Sequence, residues 1–311
     1  MKIQRCDQKD IPNILDVYQR SFDALYPPFR RPSALVNPFE FDWFDDDGCR
    51  VAKDEAGTIR GFALAQLKKN TPDAFLMTLF VDPDFRGRGI GGSLLERIEL
   101  FSRKNQKTRL KLGPGVSNYF TLGAEEDSSA FRFFTARGFQ EDAELGYRPI
   151  WMQSDPRQWR LPTLVENINQ RLNGEGIQVR ISVPGDAEAL LMFLEKSFPD
   201  WHRELMAPAL SKNKAVPVSI TVKDSRVIAF TGPVYVDLQA AGTLGAVGVD
   251  PEFRGRGIAR VVFNRACQWW KENGATAAHL WTGVGNPAVK VYEEAGLRIC
   301  KTYVPLVKNL T

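Results

Sequence analysis

The sequence predicts a mixed α/β protein built from two tandem domains of one type, each a mixed, mostly antiparallel sheet flanked by helices. The first supporting observation is a repeat, because the ten residues Val81–Ile90 recur as Val249–Ile258 with nine identities. The second is context, since each copy follows an apolar, strand-like segment and precedes a helix-like one. The third is length, because 311 residues suit two domains of about 150 residues each.

The first copy begins with a short strand and a helix. Apolar residues recur at helical spacing from Asp10 to Phe22, and aspartate is a residue type that favours helix starts. A meander of strands, a Gly-rich turn, a second helix, a strand, a third helix ended by Gly138 and a last strand follow. The strands are expected near Ile3–Arg5, Arg50–Lys53, Arg60–Gln66, Phe75–Val81, Arg109–Leu112 and Ala143–Met152.

The second copy repeats this order of elements. Its first helix aligns Asp186 with Asp10, and its third helix aligns Val289–Leu297 with Phe131–Phe139. The strands are expected near Gln178–Ser182, Val218–Lys223, Arg226–Tyr235, Gly242–Val249, Ala277–Trp281 and Arg298–Val307. Meandering strands that lead into a strand, helix, strand unit are typical of mixed α/β sheets.

A proline-containing stretch joins the two copies. Pro156 and Pro162 precede a polar segment, Glu166–Asn173, that can form a short helix, and Gly174 and Gly176 mark its end. We therefore expect an N-terminal domain over residues 1–155, a connection over residues 156–176 and a C-terminal domain over residues 177–311.

Composition excludes several classes of protein. The net charge of +4 is too small to favour a nucleic-acid partner, and no segment approaches the roughly 18 apolar residues of a membrane span. The four cysteines lack the paired spacing of a zinc site, so no metal is expected. The N-terminus has no apolar signal core. We expect a cytoplasmic protein with reduced thiols, and its oligomeric state stays open.

The repeated turn has the features of an anion site. Glycines let the backbone approach an anion in unusual conformations, and the N–H groups of a following helix start point towards it. The residues are Arg86, Gly87, Arg88, Gly89, Ile90 and Gly91 in the first copy, and Arg254, Gly255, Arg256, Gly257, Ile258 and Ala259 in the second. A dinucleotide fingerprint would follow the first strand, whereas this turn follows the fourth, and a Walker A loop would need Gly-Lys-Ser/Thr.

This turn matches the acetyltransferase pattern Arg/Gln-x-x-Gly-x-Gly/Ala, and both copies resemble the GNAT superfamily of N-acetyltransferases over nearly the whole chain. The resemblance implies that acetyl-CoA binds with its pyrophosphate over the turn and its pantetheine arm between the splayed fourth and fifth strands. It also implies that backbone groups of the fourth strand bind this arm and polarise the thioester carbonyl. The matching strand positions are Leu79 and Val81 in the first copy, and Val247 and Val249 in the second.

The resemblance also implies a catalytic acid, because many members protonate the departing CoA thiolate with a tyrosine on the helix after the fifth strand. Tyr292 matches that position, and Asn286 matches a residue that either supports the pantetheine arm or caps the helix. A buried aromatic residue with a structural hydroxyl is the alternative for Tyr292. In the first copy the two positions hold Phe134 and Ser128, and Tyr119 is a weak substitute acid. We therefore expect chemistry in the second copy, with the first keeping only a CoA cradle.

A general base is less well defined. His279 shares a strand face with Trp281, and Asp237 lies near the turn between the third and fourth strands of the second copy. A core histidine and a solvated turn residue are the respective alternatives. A chain of water molecules also suffices to remove a proton.

The substrate is expected to contact the loop after the first helix of the second copy. Trp201 offers a flat face for a sugar or aromatic ring, while His202 and Glu204 offer hydrogen bonds and charge for an ammonium group. An ordinary amphipathic loop is the alternative. The chain resembles tandem bacterial glucosamine/glucosaminide N-acetyltransferases and mycothiol synthases, although Thr121 and Leu122 depart from the first group's pattern. We expect a small-molecule primary amine, such as an amino sugar. Alternatives are peptide or protein amines, or a non-catalytic acyl-CoA-binding regulator.

Overall fold

A computed structural model describes residues 1–22, 39, 44–113, 123–199, 217–237 and 240–310. The chain forms two compact units. Unit 1 contains Met1–Pro149 and Lys301–Thr311, and unit 2 contains Ile150–Cys300. None of the described helices combines the length and apolar character that crossing a bilayer requires.

The helices and strands follow the expected order closely. The α-helices are α1 (Ile11–Ser21), α2 (Ile90–Lys104), α3 (Ser129–Thr135), α4 (Thr163–Gly174), α5 (Ala187–Ser197), α6 (Ile258–Glu272) and α7 (Ala288–Glu294). The strands are β1 (Lys2–Arg5), β2 (Cys49–Lys53), β3 (Ile59–Leu67), β4 (Asp73–Val81), β5 (Arg109–Leu112), β6 (Ala124–Glu125), β7 (Gln140–Glu141), β8 (Pro149–Ser154), β9 (Ile177–Ile181), β10 (Ser219–Lys223), β11 (Arg226–Val236), β12 (Ala241–Val249), β13 (Ala277–Gly283), β14 (Arg298–Val304) and β15 (Leu306–Asn309).

Unit 1 is a sheet of order β1-β2-β3-β4-β5-β15-β7. Its neighbouring strands run antiparallel where their pairing is described, except for the parallel pair β4 and β5. Alternate residues of β3 face opposite sides of the sheet. Phe62 and Leu64 belong to the core beneath α1, whereas Ala63 and Ala65 belong to the core beneath α2. The sheet is therefore covered by a helix on each face.

Unit 2 repeats this arrangement, with its strands in the order β9-β10-β11-β12-β13-β8. The pair β12 and β13 is again parallel. On β11, Phe230 packs with Leu190 and Leu194 of α5, and Ala229 packs with Val262 of α6. Each unit therefore has the mixed, mostly antiparallel sheet flanked by helices that the sequence predicts.

The last strand of the first sequence copy, β8, lies in the sheet of unit 2, and the last strand of the second copy, β15, lies in the sheet of unit 1. β8 neighbours β13 of unit 2, and β15 lies between β5 and β7 of unit 1. Leu306 of β15 pairs with Leu112 on one side and with Glu141 on the other. The compact units therefore differ from the expected boundaries of residues 1–155 and 177–311, because strand pairing joins distant parts of the chain.

Two expected strands are shorter than their sequence patterns suggest. The segment expected at Ala143–Met152 begins with a turn, in which Asp142 accepts a hydrogen bond from the Glu144 N–H and Gly146 has a φ of 72°. The strand expected at Arg298–Val307 is interrupted between β14 and β15 at Pro305, which has no N–H group for the ladder.

The stretch expected to connect the copies packs as part of unit 2. Its helix, α4, buries Val165 and Leu172 in a core cluster with Ile258 and Val262 of α6. The spacing of Val165, Ile168 and Leu172 is that of one helix face, which accounts for this packing.

Candidate active site

The two glycine turns have the same backbone conformation. Gly87 and Gly89 have φ values of 76° and 79°, and Gly255 and Gly257 repeat these values. This left-handed region strongly favours glycine. Gly89 and Gly257 are also the N-caps of α2 and α6. Each turn therefore presents the start of a 15-residue helix, where backbone N–H groups favour a bound anion.

The space in front of most of these glycines is open. A Cβ added at Gly87, Gly89 or Gly255 would meet no atom within 4 Å. A phosphate group can therefore approach the backbone closely at these positions, which fits the pyrophosphate of CoA.

A buried carboxylate anchors the first turn. Asp82 accepts hydrogen bonds from Arg20, at 3.0 and 2.9 Å, and from Arg60, at 3.1 Å. Burial tends to raise the pKa of Asp82, but the hydrogen bonds from Arg20 and Arg60 outweigh it and lower this pKa. Asp250 is the equivalent in unit 2, where Arg226 lies 3.5 Å away. The charged anchor is therefore stronger in unit 1.

In unit 2, the fourth and fifth strands of the repeat separate towards the turn. β12 pairs with β13 over Ala241–Thr243, and no further pairing of these two strands occurs in the described part of the chain. The Asp250 N–H donates to Ile228 of β11 at 2.8 Å. Because successive N–H groups of a strand point to opposite sides, those of Val249 and Val247 face away from β11, towards the gap.

Unit 1 has the same opening. β4 pairs with β5 over Asp73–Phe75 within the described residues, and the Asp82 N–H donates to Arg60 of β3 at 2.9 Å. By the same alternation, the N–H groups of Val81 and Leu79 face the gap. Both units therefore offer strand-edge donors beside a glycine turn.

The tyrosine of the second copy is buried beside α6. Tyr292 lies on α7, and its ring packs on that of Phe263 with centroids 4.7 Å apart. Burial raises the pKa of Tyr292 to about 12, so its hydroxyl keeps its proton at neutral pH. At the matching position of α3, Phe134 packs on Phe139 at 5.2 Å and has no proton to donate. The units therefore differ in whether this position of the helix carries a hydroxyl group.

Polar side chains accept hydrogen bonds from backbone N–H groups at the starts of these two short helices. The Asn286 side chain accepts from the Ala288 N–H and donates to the Thr282 hydroxyl, both at 2.9 Å. Ser128 accepts from the Phe131 N–H at 3.1 Å. Of the two roles expected for Asn286, the structure contains the capping contact, and a contact with the pantetheine arm stays a prediction.

The two candidate bases have structural contacts. His279 is 3% exposed, and its ring stacks on Trp151 of β8 with centroids 4.8 Å apart. Asp237 accepts a hydrogen bond from the Ala241 N–H at 2.8 Å and so shapes the turn before β12. These contacts fit the alternatives of a core histidine and a turn acid, and a role as base stays a prediction for both.

The expected substrate-loop residues Trp201, His202 and Glu204 lie outside the described residues, as does Tyr119.

Contacts of α4 with the second turn were not expected from the sequence. A Cβ added at Gly257 would lie 2.9 Å from Ile168, and Arg171 donates to the Arg256 carbonyl at 2.6 Å. Glu175, just after α4, forms an ion pair with the Arg256 guanidinium. The apolar face of α4 is a sequence signal that the helix packs against the protein, but it does not identify the surface on which it packs.

Comparison with known proteins identifies the family. The profile of the acetyltransferase (GNAT) family matches residues 12–124 and 187–297, which together make up more than half of the chain. The protein therefore belongs to the GNAT family of acetyltransferases, whose members use acetyl-CoA, and it carries two GNAT regions in tandem.

Named relatives support this assignment. A mycothiol acetyltransferase from Nocardiopsis dassonvillei is 26% identical over 269 residues, which cover 80% of this chain and 78% of that protein. Another, from Propionibacterium freudenreichii subsp. shermanii, is 34% identical over 111 residues, which cover 35% of this chain but only 33% of the relative.

Solved structures share the fold over the whole chain. A glucosamine N-acetyltransferase region of a fungal multi-domain β-N-acetylglucosaminidase aligns with a TM-score of 0.74 and 21% identity, covering 98% of this chain and 38% of the fungal chain. A tandem GNAT protein from the clavulanic acid biosynthesis pathway aligns with a TM-score of 0.70 and 16% identity, covering 100% and 98% of the two chains.

Proposed function

We propose that this protein transfers the acetyl group of acetyl-CoA to a primary amine of a small molecule, and that unit 2 performs the reaction. The observation that carries this proposal is the difference between two otherwise similar units. Tyr292 places a protonated phenol on the helix after β13, whereas unit 1 has Phe134 at the matching position. Both units keep the turn and the strand gap that suit CoA.

Binding in unit 2 uses backbone groups. Acetyl-CoA supplies a thioester whose carbonyl carbon accepts the amine nitrogen. The N–H groups of Arg256, Gly257 and Ala259 hold its pyrophosphate at the positive end of α6. The Val249 N–H binds the pantetheine arm, and the Val247 N–H stabilises the negative charge that develops on the thioester oxygen.

Tyr292 acts when the carbon–sulfur bond breaks. The amine nitrogen forms the new bond to the carbonyl carbon, and the electron pair of the broken bond goes to sulfur. The Tyr292 hydroxyl then donates its proton to the thiolate. The surplus proton on nitrogen leaves to water, directly or through His279 or Asp237. A Tyr292 pKa of about 12 keeps this acid protonated at the pH at which many amines become neutral.

We infer that the amine belongs to an amino sugar such as glucosamine. Relatives named mycothiol acetyltransferase and a fungal glucosamine N-acetyltransferase region support this class. The residues Trp201, His202 and Glu204 supply a flat face, hydrogen bonds and a negative charge, which together suit a sugar ring that carries an ammonium group.

The cysteines support a reducing compartment such as the cytoplasm. All four are free thiols, and Cys6, Cys49 and Cys267 are buried. Disulfides are rare where glutathione keeps thiols reduced.

The test is acetyl-CoA consumption with a panel of glucosamine, chitobiose-type glucosaminides, aminoglycosides, amino acids and short peptides. Turnover on the sugar amines is expected, and Tyr292→Phe should lower kcat by roughly 10²-fold, the usual contribution of a general acid. Tyr147→Phe, at a tyrosine that is 36% exposed, is the matched control and should keep full activity. Equal turnover by the Tyr292→Phe variant would refute the assigned acid, and turnover on peptides alone would refute the substrate class.

A further inference from the structure

We propose that Glu175 lowers the affinity of the unit 2 turn for CoA by holding the Arg256 guanidinium away from the bound pyrophosphate. This inference rests on the proposed function, because it assumes that the turn takes CoA. Glu175 lies outside both family-profile matches. Its proposed role is to set how tightly the catalytic unit binds acetyl-CoA and the product CoA.

Helix α4 contacts the turn of unit 2. Ile168 lies against Gly257, and Arg171 donates to the Arg256 carbonyl at 2.6 Å. The guanidinium of Arg256 pairs with the Glu175 carboxylate, and the two side chains are only 36% and 35% exposed. The charge that Arg256 would offer to a phosphate is therefore already engaged by a carboxylate of the same unit.

The turn of unit 1 has the same Arg-Gly-Arg-Gly-Ile sequence. Arg88 corresponds to Arg256, and it donates to the Asp84 carbonyl at 3.1 Å and lies over the Phe85 ring at 4.8 Å. No carboxylate pairs with Arg88 among residues 1–22, 39, 44–113, 123–199, 217–237 and 240–310. Above Gly89 there is open space. The guanidinium of Arg88 is therefore available to an anion.

The same contrast recurs within the first turn of each helix. In unit 2, Arg260 makes a bidentate pair with Glu294 at 2.6 and 3.0 Å. In unit 1, Gly92 corresponds to Arg260, and the Arg137 guanidinium approaches to 3.3 Å from a Cβ built at Gly92. Arg137 donates to the Phe133 carbonyl at 3.1 Å. Arg256 and Arg260 of unit 2 are thus paired with carboxylates, whereas Arg88 and Arg137 of unit 1 donate to backbone carbonyls.

The consequence is a weaker electrostatic attraction for CoA in the unit that performs chemistry. A carboxylate beside the pyrophosphate repels it, and the carboxylate also withdraws the guanidinium that would bind it. Partly exposed charge pairs of this kind change a binding constant by about three- to tenfold. Weaker binding in unit 2 favours release of the CoA product, a step that limits the turnover of many enzymes.

The experiment measures product inhibition by CoA during turnover, which reports on the catalytic unit alone, together with calorimetric titration of CoA into the full-length protein. Glu175→Gln should lower the inhibition constant of CoA by about three- to tenfold. Arg256→Gln should change the inhibition constant of CoA by a smaller factor than Arg88→Gln changes the dissociation constant of CoA from unit 1. The reason is that Arg256 is already paired with a carboxylate, whereas Arg88 is not. Glu166→Gln, an exposed residue of α4, is the matched control and should leave both constants unchanged.

The outcomes separate this inference from the proposed function. A Glu175→Gln variant with an unchanged or higher inhibition constant would overturn the role of Glu175 while leaving the acetyltransferase proposal intact. If Glu175→Gln has its full effect in an Arg256→Gln background, direct repulsion accounts for that effect, and the role assigned to Arg256 is overturned. Absence of CoA binding and turnover in the unaltered protein would overturn the proposed function itself. Because the Glu175 pair is partly exposed, the unfolding midpoint should stay within about 2 °C of wild type.

Discussion

The position of β15 makes Leu306→Ala a test of the fold. Leu306 is in the second half of the sequence, yet it is 0% exposed in the core of unit 1, where it packs in one cluster with Leu110, Leu112 and Phe139. Replacing a fully buried leucine by alanine removes apolar contacts and leaves a cavity, at a cost of about 3 to 4 kcal/mol. For a unit of this size the unfolding midpoint should fall by roughly 10 °C.

Hydrogen exchange measured by mass spectrometry can locate this loss. Peptides that cover β4 and β5 should lose protection in Leu306→Ala, whereas peptides that cover β12 and β13 should keep it, because β15 pairs with β5. Met152→Ala is the matched control, since Met152 is also 0% exposed but lies in the core of unit 2. It should produce the opposite pattern. If Leu306→Ala causes a greater loss of protection in β13 than in β5, the placement of β15 in the sheet of unit 1 is refuted.

Three further predictions follow from the site. Because burial raises the pKa of Tyr292 to about 12, kcat/KM should rise as the amine loses its proton and show no decrease below about pH 11; a decrease centred near pH 8 would contradict Tyr292 as the acid. Asp82→Asn should lower the free energy of unfolding at pH 7 by about 2 kcal/mol. The pKa of Asp82 is lowered in the folded state, so its contribution is complete above the ordinary value of 3.8 and is lost as the pH falls below it; an equal difference between the two proteins at pH 2 and pH 7 in urea titrations would contradict this. Asn286→Ala should destabilise unit 2 by about 1 kcal/mol and lower kcat. Ser128→Ala should destabilise unit 1 by a similar amount without changing kcat. If the two variants have the same kcat, the Asn286 contact does not position Tyr292.

The local elements could be predicted from the sequence because their signals are local. Apolar, strand-like segments predicted β2 to β5 and β9 to β13 within a few residues. The Gly-rich turns were predicted with their helix starts, and they have the same left-handed glycines in both units. The GNAT resemblance was confirmed by the family match. The difference between Tyr292 and Phe134 at matching positions can also be read from the aligned copies alone.

Contacts between distant segments could not be predicted in this way. The apolar residues of β8 and β15 indicated burial, but their pattern does not say which sheet buries them. Pro305 interrupts the expected strand, and β15 beyond it pairs with β5 and β7 of unit 1. Likewise, the segment Glu166–Asn173 was expected only as a short polar helix, and its contact with Gly257 was not predicted.

The sequence by itself determined the duplicated order of elements, the two Gly-rich turns, and a tyrosine at position 292 where the first copy has Phe134. These features depend on residue type and spacing along a short stretch of chain. The tertiary structure alone decided that β8 lies in unit 2, that β15 lies in unit 1, and that Glu175 engages Arg256. Each of these depends on where packing brings separate segments together, and side-chain periodicity carries no information about the partner.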